Sequence, residues 1–327
     1  MPPAVRLMLT DLGVPVNGHL ESLGTASAWG APQLTYRDYL FDGLGNGWHL
    51  DRARFDRTLT DAAVATGATL LRQRYLTAAR SSQCWTICCG CPDSAAIHEL
   101  TASFVIDATG RRSAFAVGQG ARRRPADHLV GVAATIPCNS GNPSHTIIEA
   151  VPHGWWYAVA LPGRRLLVAL LSDADIIRSH RWTNPLTWVE QLRRTRHISA
   201  LLPTIDIEGP LTVRAASSQL LTPCTGPGWI AIGDAEMATD PLSSTGILTA
   251  IRSGIDAARA ITSGELTDNE NRHAHNQRTR HKFTVYLQQR EHFYRLEHRW
   301  NNPFWQRRHG IINLFGRTSQ GDHPVPG

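Results

Sequence analysis

Two short strings in this chain combine an apolar run, a glycine and a cluster of polar groups. The longer one, Trp229-Ile-Ala-Ile-Gly-Asp-Ala-Glu-Met-Ala-Thr-Asp-Pro-Leu-Ser-Ser-Thr-Gly-Ile247, delivers Gly233 and Asp234 from a buried strand. A carboxylate in that place can accept hydrogen bonds from sugar-like hydroxyls. A loop through Pro241 then leads Ser243, Ser244, Thr245 and Gly246 into a helix start, where hydroxyls and unpaired backbone N–H groups favour negative charge. The shorter string, FVIDATGRRS over 104–113, ends a strand in Asp107-Ala-Thr-Gly110. Gly110 has no Cβ, so backbone can run close to a ligand, and in open α/β sheets ligands sit beyond the carboxyl ends of strands. Taken alone, this second string fits an ordinary strand–turn equally well.

These strings need elements to hold them. Residues 51–67 (DRARFDRTLTDAAVATG) predict a helix, because Phe55, Leu59 and Ala62/Ala63 recur at helical spacing and Gly67 suits the position past its end. Strands are expected at 69–76, 83–89 and 102–108, and residues 1–50 read as rich in loops. From 125 to 218 short turn-bounded strands predict an antiparallel sheet with one helix near 186–196; GWWYAVAL (154–161) and LLVALL (166–171) face each other across Pro-Gly-Arg-Arg. A helix is expected over 243–261. A long Arg/His-rich helix is expected over 269–300, its apolar stripe running through Phe283, Tyr286/Leu287 and Phe293/Tyr294. The fold class is therefore α/β. The domains expected are 1–124 together with 216–265, an inserted antiparallel sheet at 125–215, and a helical tail over 266–327.

Composition excludes several classes. Apolar residues make up 42% and charged residues 18% of the chain, which describes a globular protein and not a disordered one. No apolar run is long enough for a membrane helix and no signal peptide is visible, so no membrane role and a cytoplasmic location are expected. Residues 266–327 hold ten Lys/Arg against five Asp/Glu. This excess reads as a solvated helix face or a surface for an acidic partner, and no nucleic-acid role is assigned. Cys84, Cys88, Cys89 and Cys91 follow C-x3-C-C-x-C, unlike a paired C-x2-C zinc site, and strand alternation points them to opposite faces. No metal site is expected.

G-D-A-x6-P-L-x-S-x-G-I followed by an Ala/Gly-rich helix resembles the second FAD motif of flavin-dependent monooxygenases and halogenases. D-A-T-G-R-R-S resembles their sugar- and phosphate-facing turn, and GWHLDRARFD (47–56) resembles the segment that sets an Arg, here Arg52, against FAD. The likeness runs from about Leu7 onward. Within that superfamily the strings SAWG (27–30), GWWYAVALPGRRLLVALLSDAD (154–175), Glu297-His-Arg-Trp and Pro-Phe-Trp-Gln-Arg-Arg308 are similar to halogenase-like flavoproteins, some of which mature quinone cofactors by hydroxylating a tryptophan in a partner polypeptide. The resemblance implies a glutathione-reductase-like FAD/NAD(P)-binding domain with FAD as cofactor. It implies Arg52, Asp107, Gly110, Gly233, Asp234, Pro241, Ser244, Thr245 and Gly246 as the residues that hold it. Asp234 would bind ribitol, the 241–246 turn would line the flavin ring, and the middle sheet would wall the substrate.

The activity so implied is monooxygenase-like hydroxylation of an aromatic substrate, a tryptophan within a partner polypeptide included, with electrons from an external flavin reductase or NAD(P)H. Two departures qualify it. Halogenases carry a lysine near the segment matching 23–30, where it handles hypohalous acid; here the only lysine is Lys282, and halogenation is disfavoured. The family also opens on a strand, G-x-G-x-x-G and a helix, and these 327 residues hold no such unit, since Gly43-Leu-Gly-Asn-Gly47 neither follows a strand nor opens a helix. The expectation is an N-terminally truncated flavoprotein, by a mis-set start or as a remnant. The alternatives are a flavin-dependent halogenase or small-molecule aromatic hydroxylase, and a non-catalytic remnant that acts only by binding a partner.

Overall fold

The near-continuous apolar run GWWYAVAL, buried along most of its length, makes Gly154–Leu161 a central strand. In the computed structural model, which describes residues 1–91, 96–138 and 143–310, it lies inside a seven-stranded sheet. From edge to edge the strands are Glu208–Ala215, Leu129–Pro137, Arg165–Asp173, Gly154–Leu161, His145–Val151, Gly24–Ala28 and Thr35–Asp38. Neighbours are antiparallel except Gly24–Ala28, which runs parallel to His145–Val151. Two strands thus come from the N-terminal stretch that reads as loop, so 125–215 alone does not complete the sheet. Glycines and small residues hide them: GTASA has almost no apolar contrast, and its strand identity comes from partners far along the chain.

One face of the sheet carries Trp156, Leu166, Val168 and Leu170 into the main core. Helix Pro185–Arg193 covers this face. It starts where expected because the Asn184 side chain accepts the Leu186 N–H at 2.9 Å and Pro185 presets the first turn. Trp188 is the anchor, packed edge-on against Trp156 at 5.0 Å and donating from Nε1 to the Val132 carbonyl at 3.0 Å. The other face is left for the site.

The two glycine-bearing turns singled out in the sequence rest on one parallel pair. Val105–Asp107 lies beside Trp229–Ala231, with Ala231 opposite Asp107, and the Ile232 N–H donates to the Asp107 carbonyl at 3.0 Å. This register brings the Ala-Thr-Gly and Gly-Asp-Ala turns out side by side. The expected strand at 102–108 divides into Ile97–Ala102, part of a three-stranded hairpin with Arg74–Arg80 and Trp85–Gly90, and the short Val105–Asp107. Residues 69–73 are not strand. No disulfide forms among the described cysteines.

The tail is helical, as expected, but its stripe differs. Helix Asn269–Arg295 buries Thr279, Phe283, Leu287, Arg290 and Tyr294, whereas Phe293 faces outward. A second helix, Pro303–His309, seats Phe304 and Trp305 in the same core as Trp155. Each such aromatic contributes about 1.5–3 kcal/mol by burial. Residues 311–327, the remainder of the expected tail, lie outside the described residues. No helix among the described residues is long and apolar enough to cross a membrane.

Candidate functional site

The sheet face opposite Trp188 and the two strand-end turns enclose a cavity of about 780 Å³. Its sheet wall follows the register: Tyr157 and Val159 stand beside Ala169 and Leu167, with Ala133 and Thr212 beyond. Its other wall carries Gly110, Arg111, Gly233, Asp234 and the start of helix Gly246–Thr262.

Of the nine residues singled out in the sequence, Arg52, Gly110, Gly233, Asp234, Pro241, Ser244 and Gly246 line this one cavity. Arg52 opens helix Arg52–Ala65 and reaches Asp56, one turn on, at 3.3 Å. Gly110 and Gly233 both hold left-handed backbone, which glycine adopts at no steric cost. A Cβ on Gly110 would meet nothing within 4 Å, and one on Gly233 would meet Ala250 at 3.3 Å. Ser244 adopts the same left-handed region at φ 52° without being glycine, a local strain of the kind concentrated at functional sites.

Asp107 is placed otherwise. Its side chain is buried, one oxygen accepting the Thr109 N–H at 2.9 Å and hydroxyl at 2.6 Å, the other the Ala116 N–H at 2.8 Å. Those bonds fold the Ala-Thr-Gly turn, and the carboxylate does not face the cavity. Thr245 also stays outside the lining, its hydroxyl 3.0 Å from that of Ser243.

Several lining residues have no signal strong enough to find them in sequence. Arg111, within the quoted D-A-T-G-R-R string, binds the Ser217 carbonyl and, at 3.0 Å, that of Thr239, and its Nε lies 3.6 Å from the Asp234 carboxylate. His49, inside GWHLD, is buried, and its Nδ1 has no hydrogen-bond partner among the described residues. Burial first, then the N-terminal amine and His145, push its pKa down to about 4, so the imidazole is neutral at pH 7. Burial holds the Tyr157 phenol up at about 12, so it stays a donor.

The electrostatics favour an anion. Arg52, Arg111 and Arg214 line the cavity against the single carboxylate of Asp234. The 17-residue helix Gly246–Thr262 has no side-chain cap at Thr245, and Gly246 and Ile247 at its start are in the wall. The first N–H groups of a helix lack intrahelical partners and carry partial positive charge. The turn before it is braced from behind: Tyr286 Oη accepts the Asp240 N–H at 2.7 Å, and Tyr294 Oη donates to the Asp240 carboxylate at 2.8 Å. Sugar acceptor, glycine-lined approach and anion-friendly helix start together fit a flavin nucleotide of the kind the sequence implies.

A cavity between a mixed sheet and paired strand-end turns, lined for an anionic nucleotide, suits a flavoprotein oxidoreductase. The family model for tryptophan halogenase matches residues 25–313, and the chain belongs to that family, whose cofactor is FAD. It is 31% identical over 317 residues to LodB of Marinomonas mediterranea, assigned as an FAD-dependent oxidoreductase, covering 94% of this chain and 84% of that one. In fold it is similar to the myxobacterial chondrochloren halogenase CndH, at TM-score 0.83 and 20% identity over 97% of this chain and 78% of that chain. It is similar also to QhpG, a peptidyl tryptophan dihydroxylase essential for tryptophylquinone cofactor biogenesis, at TM-score 0.71 and 24% identity over 96% of this chain and 70% of that chain.

Proposed function

We propose that this oxidoreductase inserts oxygen into an electron-rich aromatic ring, and that the ring is a tryptophan side chain carried by a partner polypeptide. The observation that carries the chemistry is the cavity wall, which contains arginines, hydroxyls and His49 but no lysine; Lys282, the only one in the sequence, sits on the tail helix. A lysine ammonium is a compact donor suited to holding hypohalous acid, and the planar, always charged guanidinium is a poor substitute.

When bound, reduced FAD supplies the activation of O2, its electrons coming from an external flavin reductase or NAD(P)H. The chain's residues bind, orient and exclude water. Asp234 would accept sugar hydroxyls, with Arg111 beside that carboxylate, and Arg52 at the start of helix Arg52–Ala65 would add a positive charge to the group's binding. The start of helix Gly246–Thr262 stabilises negative charge on the ring edge. Tyr157, Val159, Leu167 and Ala169 give the substrate ring a dry wall, and the neutral His49 imidazole adds a polar group to the lining.

The partner reading draws support from the likeness to QhpG and from the cavity rim. Next to Tyr39, which lines the cavity, Leu40 and Phe41 are 73% and 84% exposed. The test is co-expression with neighbouring gene products in chloride- and bromide-containing medium, followed by peptide mass spectrometry. Oxygen added to tryptophan in a partner polypeptide is expected. A halogen on any product sinks the chemistry in favour of a halogenase, which the anion-friendly helix start would also suit. Oxygenated products confined to small molecules sink the partner.

A further inference from the structure

Behind the Asp234 turn, away from the cavity, three side chains from distant parts of the chain meet. Cys224 precedes the strand Thr225–Gly226, Glu236 follows the Gly233–Ala235 turn, and His275 lies on the tail helix. The Cys224 sulfur, a Glu236 carboxylate oxygen and a His275 ring nitrogen all lie within 4.8 Å of one another. None of the three lines the cavity. We propose that these residues form a zinc(II) site, distinct from the cofactor site, that fastens the tail helix to the turn carrying Asp234.

The donor set matches the ion. Zinc takes thiolate sulfur, imidazole nitrogen and carboxylate oxygen at about 2.0–2.3 Å in tetrahedral geometry, so three donors already this close need only a small contraction. The charges also balance: one thiolate and one carboxylate neutralise a dication, which suits a place where Cys224 is 1% exposed. The His275 nitrogen is the independent pointer. Its Nε2 is buried and has no hydrogen-bond partner among the described residues, standing 3.6 Å from Glu236, too far for a hydrogen bond.

Neighbouring groups orient the ligands as outer partners do around metal sites. Thr279, one turn beyond His275, donates its hydroxyl to Glu236 at 2.6 Å. Asn276 Oδ1 accepts the Cys224 N–H at 2.7 Å and the thiol at 3.2 Å, and its side-chain amide donates to the Arg272 carbonyl at 2.9 Å. Binding releases the Cys224 proton to solvent and leaves the fourth position to water or to the Asn276 oxygen. The chain reads as metal-free from sequence because the ligands stand 12 and 39 positions apart and share no motif.

The test uses the full chain purified without a polyhistidine tag. Elemental analysis after zinc supply should find close to one zinc per chain. Exchange with Co2+ should give thiolate-to-cobalt charge-transfer absorption. Cys224→Ser should abolish that absorption, and His275→Ala or Glu236→Gln should weaken zinc binding roughly tenfold or more. A quadruple Ser variant at Cys84, Cys88, Cys89 and Cys91 should keep both signals. Circular dichroism establishes folding; if Cys224→Ser does not fold, the His275 and Glu236 variants carry the decision. Absence of zinc and of the cobalt–thiolate band overturns the proposal. So does stoichiometry unchanged in the folded variants, or a signal lost only in the quadruple variant.

Discussion

Asp107 and Asp234 stand at neighbouring strand ends and have different duties. Asp107 spends both oxygens on backbone and hydroxyl donors of its own turn. Asp234 keeps a carboxylate in the cavity wall, held among the described residues by Arg111 at 3.6 Å. Asp234→Ala is therefore expected to weaken FAD binding by roughly tenfold or more, the value of a charge-assisted hydrogen bond at about 1.5–3 kcal/mol, with little loss of stability. Fluorescence-quenching titration with FAD beside thermal melts checks both halves. Asp107→Ala should do the reverse and lower the melting temperature first. His49 gives the pH dependence. Its pKa is about 4 when folded and near 6.5 when unfolded, so the unfolded chain binds more protons between those values. Stability should rise with pH across that window and be lost as pH falls through it, by on the order of 3 kcal/mol. Urea titrations at pH 4.5 and pH 7 should show this slope in the parent and a smaller one in His49→Gln. Sequence placed Asp107 and Asp234 in the same cofactor-holding set, because burial and partner choice, which separate them, come from the parallel register.

At the scale of elements, the tail helix is the brace of the site. Tyr294 accepts from Trp155 Nε1 at 3.0 Å and donates to Asp240 in the turn before Pro241. Tyr294→Phe leaves a buried indole N–H and a buried carboxylate short of a partner, at about 1–3 kcal/mol, and should loosen the 241–246 turn. Chemical denaturation gives the first effect and amide exchange in 242–246 the second. Two arginines of the tail, Arg290 and Arg308, are turned inward and buried, while Arg278, Arg280, Lys282, Arg295 and Arg307 stay exposed. Arg290 pairs with Asp127, Arg299 with Glu297, and Arg307 and Arg308 with Asp173. Composition shows the excess of charge but not which members are buried, so the solvated-face reading suits the exposed arginines and misses Arg290 and Arg308. The strings SAWG and Glu297-His-Arg-Trp, noted separately in the sequence, touch: Glu297 accepts the Gly30 N–H at 2.8 Å, and Arg299 donates to the Ala28 carbonyl at 3.3 Å. Helices with strong periodicity, such as Arg52–Ala65 and Pro185–Arg193, were legible to within a few residues. The strands Gly24–Ala28 and Thr35–Asp38 were not, since only the completed sheet gives them a reason to be extended.

At the scale of the whole molecule, one sheet serves both halves, its one face a core and its other face the cavity wall. Trp305 sits where they meet, fully buried, 5.3 Å from Trp29 and donating to the Val151 carbonyl at 3.0 Å. Trp305→Ala should cost about 3–5 kcal/mol, and differential scanning calorimetry should show one lowered transition; two separated transitions would mean that the halves melt independently. The contact between Gly30 and Glu297 spans 267 positions of sequence. A ribosome must therefore release nearly the whole described chain before the first strands of the sheet find their lock. Contacts of such long range form late and slowly, and until then the apolar sheet face, Trp29 and Trp155 stand open to other chains. Halting synthesis before Pro303–His309 emerges should leave a nascent chain that is protease-sensitive and held by chaperones, and restoring those residues should end both in one step.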